Sequence, residues 1–255
     1  MTQADSGQHP SRSARIPEPD AEASPQNGVG KMFDRIAPTY ALLNHILSFG
    51  LDFSWRRKLA QMLDGNHPIE LLDLATGSGD LLISMLGKRA NISKAVGLDI
   101  SEKMLDVCRR NLGRANLADR AALIQGDAGR TGLGESSFDV VTMAFGIRNV
   151  PDPSRTLGEM VRVLRAGGTV LILEFSLPAN RILRSIYLVY LRHIVPIVGW
   201  LVSRDKAAYR YLNTTIESFY RTCDIPDLMK KAGFANIATK PLTFGTVSLY
   251  SGSKP

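Results

Sequence analysis

The chain has 255 residues, 44% of them hydrophobic, and a formal net charge of +7. This length suits a single α/β domain with a large core. The first 30 residues contain no apolar stretch that could serve as a secretory signal, and their four acids argue against a transit peptide. The four histidines are scattered without ligand spacing, and the two cysteines lack a C-x-x-C pattern. We therefore expect a cytoplasmic protein with free thiols and without a metal site.

The segment 1–30 is rich in Pro, Ser, Gln and charged residues and is predicted to be a disordered arm. Residues 33–63 then show helical periodicity with large apolar side chains, which Pro38, Gly50 and Asp52 are expected to break into pieces. This segment is predicted to be a helical cap over the ligand-binding edge of the sheet that follows.

The most informative stretch begins at Asp73, where an apolar strand enters a turn containing Gly77 and Gly79 and continues into a helical pattern. A second apolar run, Ala95–Asp99, closes on a carboxylate 20 residues after Gly79. In nucleotide-binding α/β folds, such an acid accepts hydrogen bonds from ribose hydroxyls. The third glycine of the dinucleotide fingerprint and any phosphate-binding loop are missing. The D-x-A-x-G-x-G pattern instead resembles the first motif of class I S-adenosylmethionine-dependent methyltransferases.

Further strands and helices alternate along the chain, which predicts a doubly wound, mostly parallel sheet. Short apolar runs predict strands at Ala122–Ala128, Phe138–Phe145 and Thr169–Phe175. Amphipathic spacing predicts helices at Ser101–Gly113, with Ser101 as N-cap, at Thr156–Leu164 and at Ile225–Ala232. Two last strands, Ile237–Leu242 and Thr246–Ser251, read as an antiparallel hairpin, the class I methyltransferase variation on this sheet.

An insertion, residues 178–218, separates the fifth strand from the last helix and is predicted to be a lid. Its first part, 178–211, is apolar yet basic, so we expect a helix seated on a membrane surface. A helix that crosses the membrane is not expected, because Arg184, Arg192, His193 and Pro196 interrupt the apolar run. A lid helix packed on the protein core is the alternative.

Two stretches resemble the UbiE/MenG C-methyltransferases of ubiquinone and menaquinone biosynthesis. They are Tyr40–Gly50, similar to the family's entry segment, and Arg162–Ser176, similar to its R-V-L-K-P-G-G…L-E-F-S signature. The resemblance extends over residues 31–254. Ala41, Asp52 and Ala144 depart from the family pattern, so no family role can be transferred to them.

The resemblance implies S-adenosylmethionine as cofactor and methylation of a ring carbon in a demethylated polyprenyl quinol, either demethylmenaquinol or a ubiquinol precursor. It places Ser78 on the glycine turn, Asp99 on the ribose, Asp127 and Ala128 around the adenine, and Asp73 behind the turn at the methionine end. These residues and the turn glycines form the predicted cofactor site.

Two residues are candidates for catalysis. Arg148 follows the fourth strand and could stabilise a phenolate or position a water, although a structural salt bridge is an equally supported interpretation. Tyr40 is a candidate on similar grounds. The ring system, the prenyl length and the oligomeric state, a homo-oligomer included, stay open.

Rival functions are a methyltransferase for another small aromatic or lipid substrate, a nucleic-acid methyltransferase and a non-catalytic quinone-binding accessory protein. The fourth strand does not end in the N/D-P-P-Y type of motif that base methylation uses. We therefore expect no nucleic-acid partner. Contact with the inner face of the cytoplasmic membrane is expected from the basic, apolar insertion.

Overall fold

The computed structural model describes residues 28–63, 67–88, 91–203, 215–220 and 222–255. A seven-stranded sheet in the order β3-β2-β1-β4-β5-β7-β6 forms its centre. The strands are β1 (Ile69–Leu74), β2 (Ile92–Asp99), β3 (Ala121–Gln125), β4 (Phe138–Ala144), β5 (Leu164–Phe175), β6 (Ala235–Leu242) and β7 (Val247–Ser253). The first five strands are parallel. The predicted α/β, doubly wound, class I methyltransferase fold is thereby confirmed.

Helices cover both faces of the sheet. They are α1 (Gly28–Leu47), α2 (Leu51–Ala60), α3 (Asp80–Lys88), α4 (Glu102–Arg114), α5 (Pro153–Val163), α6 (Arg181–Val189), α7 (Val195–Ser203), α8 (215–220) and α9 (Ile225–Ala232). Strand β1 is apolar on both faces because both are covered: Leu71 belongs to one core cluster and Leu72 to the other. The strand order reverses between β1 and β4, and open α/β sheets bind ligands beside the carboxyl ends of strands at such a switch point.

The chain ends in the predicted hairpin. Strand β7 pairs antiparallel with β5 on one side and with β6 on the other. Both strands are longer than predicted, because β6 begins at Ala235 and β7 continues to Ser253.

Several predicted boundaries are wrong. Helix α1 runs through Pro38 without a break and begins at Gly28, inside the segment assigned to the arm; residues 1–27 of that arm lie outside the described residues. The break predicted at Gly50 is confirmed, since Phe49 and Gly50 adopt left-handed conformations between α1 and α2, whereas Asp52 lies inside α2 and does not interrupt it. Strand β3 ends at Gln125, so Asp127 and Ala128 lie beyond it.

The predicted N-cap of α4 is confirmed, whereas the predicted start of α5 is wrong. Ser101 caps α4 by accepting the Met104 N–H at 3.1 Å, as expected. Helix α5 starts three residues earlier than predicted, because Asp152 accepts the Arg155 N–H and Pro153 suits the first turn.

The insertion forms a nearly continuous helical rod. Helix α6 passes through one π-helical turn, Tyr190–Ile194, directly into α7. Pro196 does not end the helix, and just before it the Val195 N–H reaches back five residues to the Tyr190 carbonyl, as in a π-helical turn. By length and composition, Arg181–Leu201 could cross a membrane, and only 17% of its apolar window is buried.

The rod packs on the helical cap through a cluster of apolar side chains and through a hydrogen bond from Tyr190 Oη to the Leu47 carbonyl. Leu191 and Val195 are buried against Ile36 and Leu43 of α1, together with Ile216 of α8. The part of the insertion that follows, 204–214, lies outside the described residues. Cap and insertion thus share a small hydrophobic core of their own.

Candidate active site

A cavity opens at the carboxyl ends of β1, β2 and β4, where the switch point predicts a ligand. The residues that line it include six of the seven predicted cofactor residues: Asp73, Gly77, Ser78, Asp99, Asp127 and Ala128. The structure therefore brings the predicted cofactor residues together in one place. Their individual roles stay predictions.

Gly79, the remaining predicted cofactor residue, does not line the cavity but determines the conformation of the turn. Its φ of +82° lies in the left-handed region, and a Cβ built on it would stand 2.4 Å from Cys108 Sγ on α4. Its N–H donates to the Thr76 carbonyl at 2.9 Å, which closes the turn. Only glycine satisfies both the backbone conformation and the close approach of α4.

Asp73 lies at the end of β1 beneath this turn. It is buried, and its two carboxylate oxygens accept hydrogen bonds from Thr142 Oγ1 at 2.6 Å and Thr76 Oγ1 at 2.7 Å. Burial raises its pKa to about 6 against the lowering effect of both hydroxyls. The group is therefore an anion at neutral pH and is held in a fixed orientation.

Asp99 ends β2 and fastens the turn to the neighbouring strand. Its carboxylate accepts the Gly77 N–H at 2.7 Å and the Ser101 N–H at 2.9 Å. Burial is the main reason that its pKa is raised to about 6. Each carboxylate oxygen retains a second lone pair, which leaves acceptors for two ribose hydroxyls.

Ser78 and Asp127 have partners within the protein. The Ser78 hydroxyl donates to Asp80 Oδ2 at 2.8 Å, and its carbonyl accepts from Asn111 at 3.0 Å. Asp127 Oδ1 accepts the Gly129 N–H at 2.8 Å, which fixes the turn after β3. Both residues still line the cavity, so the intramolecular bonds position them.

The charges and the free polar groups of this cavity fit S-adenosylmethionine. In the part of the chain that the structure describes, four carboxylates line it (Asp73, Asp80, Asp99 and Asp127) together with one guanidinium, that of Arg56. Among the described residues, Asn149 Oδ1 is a buried acceptor without a partner, and Asn149 lines the cavity too. An anionic lining and an unsatisfied acceptor suit a ligand that carries a sulfonium and an ammonium group.

Sequence reasoning missed Asn149 and Phe145. Asn149 follows the predicted fourth strand by only a few residues, a position that could have signalled it. Phe145 has a φ of 57°, which is strained for an aromatic residue, and such strain clusters at functional sites.

A second, apolar cavity of about 360 Å³ lies between the helical cap and the insertion. Most of its lining is aromatic or aliphatic, including Trp55, Phe175, Tyr187, Tyr190 and Leu191. Phe145 lines both cavities and packs against the Phe175 ring at 4.6 Å between centroids. The two cavities therefore meet at this side chain.

A chain of polar groups runs alongside that junction. Asp52 accepts hydrogen bonds from Ser48 Oγ at 2.8 Å and from Arg56, and it pairs with His45 Nδ1 at 2.6 Å. Arg56 in turn lies 3.8 Å from Asp80 of the first cavity. Burial alone would raise the pKa of Asp52, but Ser48, Arg56 and His45 together lower it. Sequence reasoning assigned no role to Asp52.

Arg148, a predicted catalytic residue, lines neither cavity. It is buried and donates through Nη1 to Glu174 at 2.6 Å and to the Phe145 carbonyl at 2.8 Å, and its guanidinium lies 5.0 Å from the Phe175 ring centroid. This is the structural salt bridge that was the alternative interpretation. Tyr40 lies in α1, but its side chain is outside the described part of the chain.

The sequence is similar to known methyltransferases over most of its length. The model of the ubiE/COQ5 methyltransferase family matches residues 21–254. Demethylmenaquinone methyltransferases from Bacteroides fragilis and Thermotoga maritima are 37% and 41% identical, covering 89% and 87% of this chain and 92% and 94% of their own. A relative from Syntrophotalea carbinolica, described as the ubiquinone/menaquinone biosynthesis C-methyltransferase UbiE, is 40% identical and covers 88% of this chain and 92% of its own.

Solved structures share the fold at lower identity. A Thermotoga maritima SAM-dependent methyltransferase, described as a possible histamine N-methyltransferase, aligns with a TM-score of 0.59 at 20% identity, over 89% of this chain and all of its own. A Haloferax volcanii complex of the Trm112 activator with a methyltransferase aligns with a TM-score of 0.60 at 18% identity, over 88% of this chain and 97% of the matched one. At these identities the likeness concerns the fold.

Proposed function

Since the chain belongs to the ubiE/COQ5 methyltransferase family, we propose that it transfers the methyl group of S-adenosylmethionine to a ring carbon of a demethylated polyprenyl quinol. The chain is an S-adenosylmethionine-dependent C-methyltransferase of quinone biosynthesis. The observation that carries the substrate proposal is the pair of cavities that meet at Phe145, one anionic and one apolar.

In the anionic cavity, Asp99 accepts the ribose hydroxyls, and Asp127 with the Ala128 N–H faces the adenine. Asp73 and Asn149 face the methionine end, where the ammonium group satisfies the free Asn149 acceptor. When bound, the cofactor supplies an electrophilic methyl group on sulfur. The protein aligns this group with the acceptor carbon, and such alignment can lower a barrier by roughly 7 kcal/mol or more.

In the apolar cavity, the quinol ring and the beginning of the prenyl tail lie between the cap and the insertion. Its walls are aromatic and aliphatic, as a fused or substituted aromatic ring requires. The relatives described as demethylmenaquinone methyltransferases and as UbiE support a quinol of the menaquinone or ubiquinone series.

Exposed apolar side chains surround the opening of this cavity, as expected for a surface that contacts a membrane. Phe49 and Phe244 line the cavity and are each about four-fifths exposed, at 81% and 82%. Ile182, Ile186 and Val189 of α6 are also more than half exposed. An amphipathic helix beside an apolar opening would let a membrane-embedded quinol enter without crossing water, so we propose peripheral contact with the membrane through 178–211.

A methylation assay tests the substrate proposal. Purified protein with S-adenosylmethionine should methylate a demethylated quinol with a long prenyl tail in vesicles and a short-tailed soluble analogue. Absence of turnover on both, with cofactor binding intact, would contradict it.

Changing the rod surface tests membrane contact. Replacing Ile182 and Val189, which lie outside the cavity lining, with glutamine should lower vesicle binding and turnover of the long-tailed quinol, while the short-tailed analogue is methylated as before. The matched control is Met62→Gln, which changes an exposed apolar residue outside this surface. Equal loss on both substrates would contradict membrane contact.

A further inference from the structure

The apolar cavity is lined by a single carboxylate, that of Asp52, among the residues that the structure describes. Among the described residues that line the apolar cavity, Asp52 is the only charged one, and it is 2% exposed. Moving a carboxylate out of water is costly, so a charge in this position calls for an explanation beyond packing.

The neighbours of Asp52 keep it ionised and connect it to solvent. Ser48 and Arg56 donate to it, and its pKa is lowered despite burial. The His45 ring binds Oδ2 at 2.6 Å, stacks on Phe53 at 4.3 Å between centroids, and is one quarter exposed. His45 therefore joins a buried carboxylate to the surface.

The reaction of the proposed function, on which this inference rests, needs such a group. A ring carbon is a weak nucleophile until the adjacent hydroxyl gives up its proton. We propose that the Asp52–His45 pair accepts that proton, with Asp52 contacting the quinol hydroxyl and His45 positioning Asp52 and passing the proton to solvent.

The quinol O–H bond breaks, and its electron pair moves through the ring to form the new C–CH₃ bond while the S–CH₃ bond breaks. The first proton leaves through His45, and the pair then takes the hydrogen of the ring carbon as a proton, which restores the aromatic ring, and returns this proton to the oxygen. One proton reaches solvent for each methyl transferred.

Other ionisable groups near the cavity are less suited. Tyr187 lines it, but burial raises its pKa, so it remains a phenol. Arg148 is a cation bound to Glu174, and Asp73 and Asp99 line the cofactor cavity instead. The charged groups that face Asp52 are His45 of α1, Arg56 of α2 and, through Arg56, Asp80 of α3.

Asp52→Asn and His45→Gln test the proposal with two soluble quinols that differ in hydroxyl acidity. Since general-base assistance contributes about 10²- to 10⁴-fold, Asp52→Asn should lower kcat on the ordinary quinol about 100-fold or more. On a halogenated quinol, whose hydroxyl ionises near neutral pH, the loss should shrink to less than about fivefold, because no base is needed. His45→Gln should show the same substrate dependence with a smaller loss.

Two further measurements separate chemistry from folding. Cofactor affinity should stay within twofold in both variants, and the rate of Asp52→Asn on the ordinary quinol should keep rising with pH where that of the wild type levels off. Asp52→Glu should recover part of the activity. Arg57→Gln, an exposed change on the same helix, serves as the matched control and should retain wild-type kcat.

Equal losses on the two quinols, or unchanged kcat in Asp52→Asn, would overturn the proposal. If Asp52→Asn does not fold, His45→Gln decides by the same substrate comparison. A wild-type protein that methylates neither quinol would instead refute the proposed function itself.

Discussion

Replacing Gly79 by alanine should damage the cofactor turn through two separable effects. Alanine in the left-handed conformation at φ +82° costs about 1–2 kcal/mol. The added Cβ would stand 2.4 Å from Cys108 Sγ, and overpacking of this kind costs about 1–3 kcal/mol. The free energy of unfolding should therefore fall by about 2–5 kcal/mol. Cofactor affinity should fall with it, because the same turn carries Gly77 and Ser78 into the cavity.

Thermal unfolding and calorimetric titration with S-adenosylmethionine measure both effects. Gly87→Ala is the matched control: it lies in α3 with no atom within 4 Å of a built Cβ and should be neutral or stabilising by up to about 1 kcal/mol. Adding Cys108→Ala to Gly79→Ala should relieve the overlap but not the backbone strain. Substitutions at exposed positions usually change the free energy of unfolding by no more than about 0.5 kcal/mol. A Gly79→Ala protein whose free energy of unfolding stays within that range of wild type, and which binds cofactor normally, would contradict both effects.

Three further predictions concern the cofactor site and the arm. Asp99→Ala should weaken cofactor binding by about 1.5–3 kcal/mol for each charge-assisted hydrogen bond lost, and calorimetry showing an affinity within twofold of wild type would rule out the ribose role. Because burial raises the pKa of Asp99 to about 6, its carboxyl is mostly protonated at pH 5 and mostly ionised at pH 7, so cofactor affinity should fall by up to about tenfold per unit as pH drops below 6; a wild-type profile no steeper than that of Asp99→Asn would contradict this. Deleting residues 1–27, whose composition lacks apolar periodicity, should leave the melting temperature and cofactor affinity unchanged, and a melting temperature lowered by several degrees would show that the arm packs on the domain.

The cofactor side of the molecule follows closely from local sequence signals. The turn after Asp73 and the acid at the end of β2 are set by strand periodicity and glycine chemistry, which act over a few residues. Parallel strands bring their carboxyl ends to one edge, so the sequence order of Asp73, Asp99 and Asp127 predicts their proximity.

The apolar side could not be predicted in the same way. Asp52 and His45 are seven residues apart across a helix break, and the geometry of Phe49 and Gly50 decides whether they meet. Phe145 reaches both cavities because of a left-handed backbone conformation that no periodicity signals.

Long-range pairing also determined the role of Arg148. Its partner Glu174 lies 26 residues away on β5, and the pair forms only because β4 and β5 are neighbours in the sheet. A sequence position at the edge of the site suggested catalysis, whereas the structure places the guanidinium against Glu174 and behind Phe145. Pro38 is a further example, since the packing of α1 on the core maintains a helix that local propensity disfavours.

The fate of an isotopically labelled methyl group tests the central claim most directly. The protein should be incubated with S-adenosylmethionine carrying a ¹³C methyl group and with a demethylated polyprenyl quinol, and the product analysed by NMR and mass spectrometry. We predict one labelled methyl on a ring carbon, with both hydroxyls free. A label on oxygen, or none on the quinol while the cofactor is bound, would contradict it.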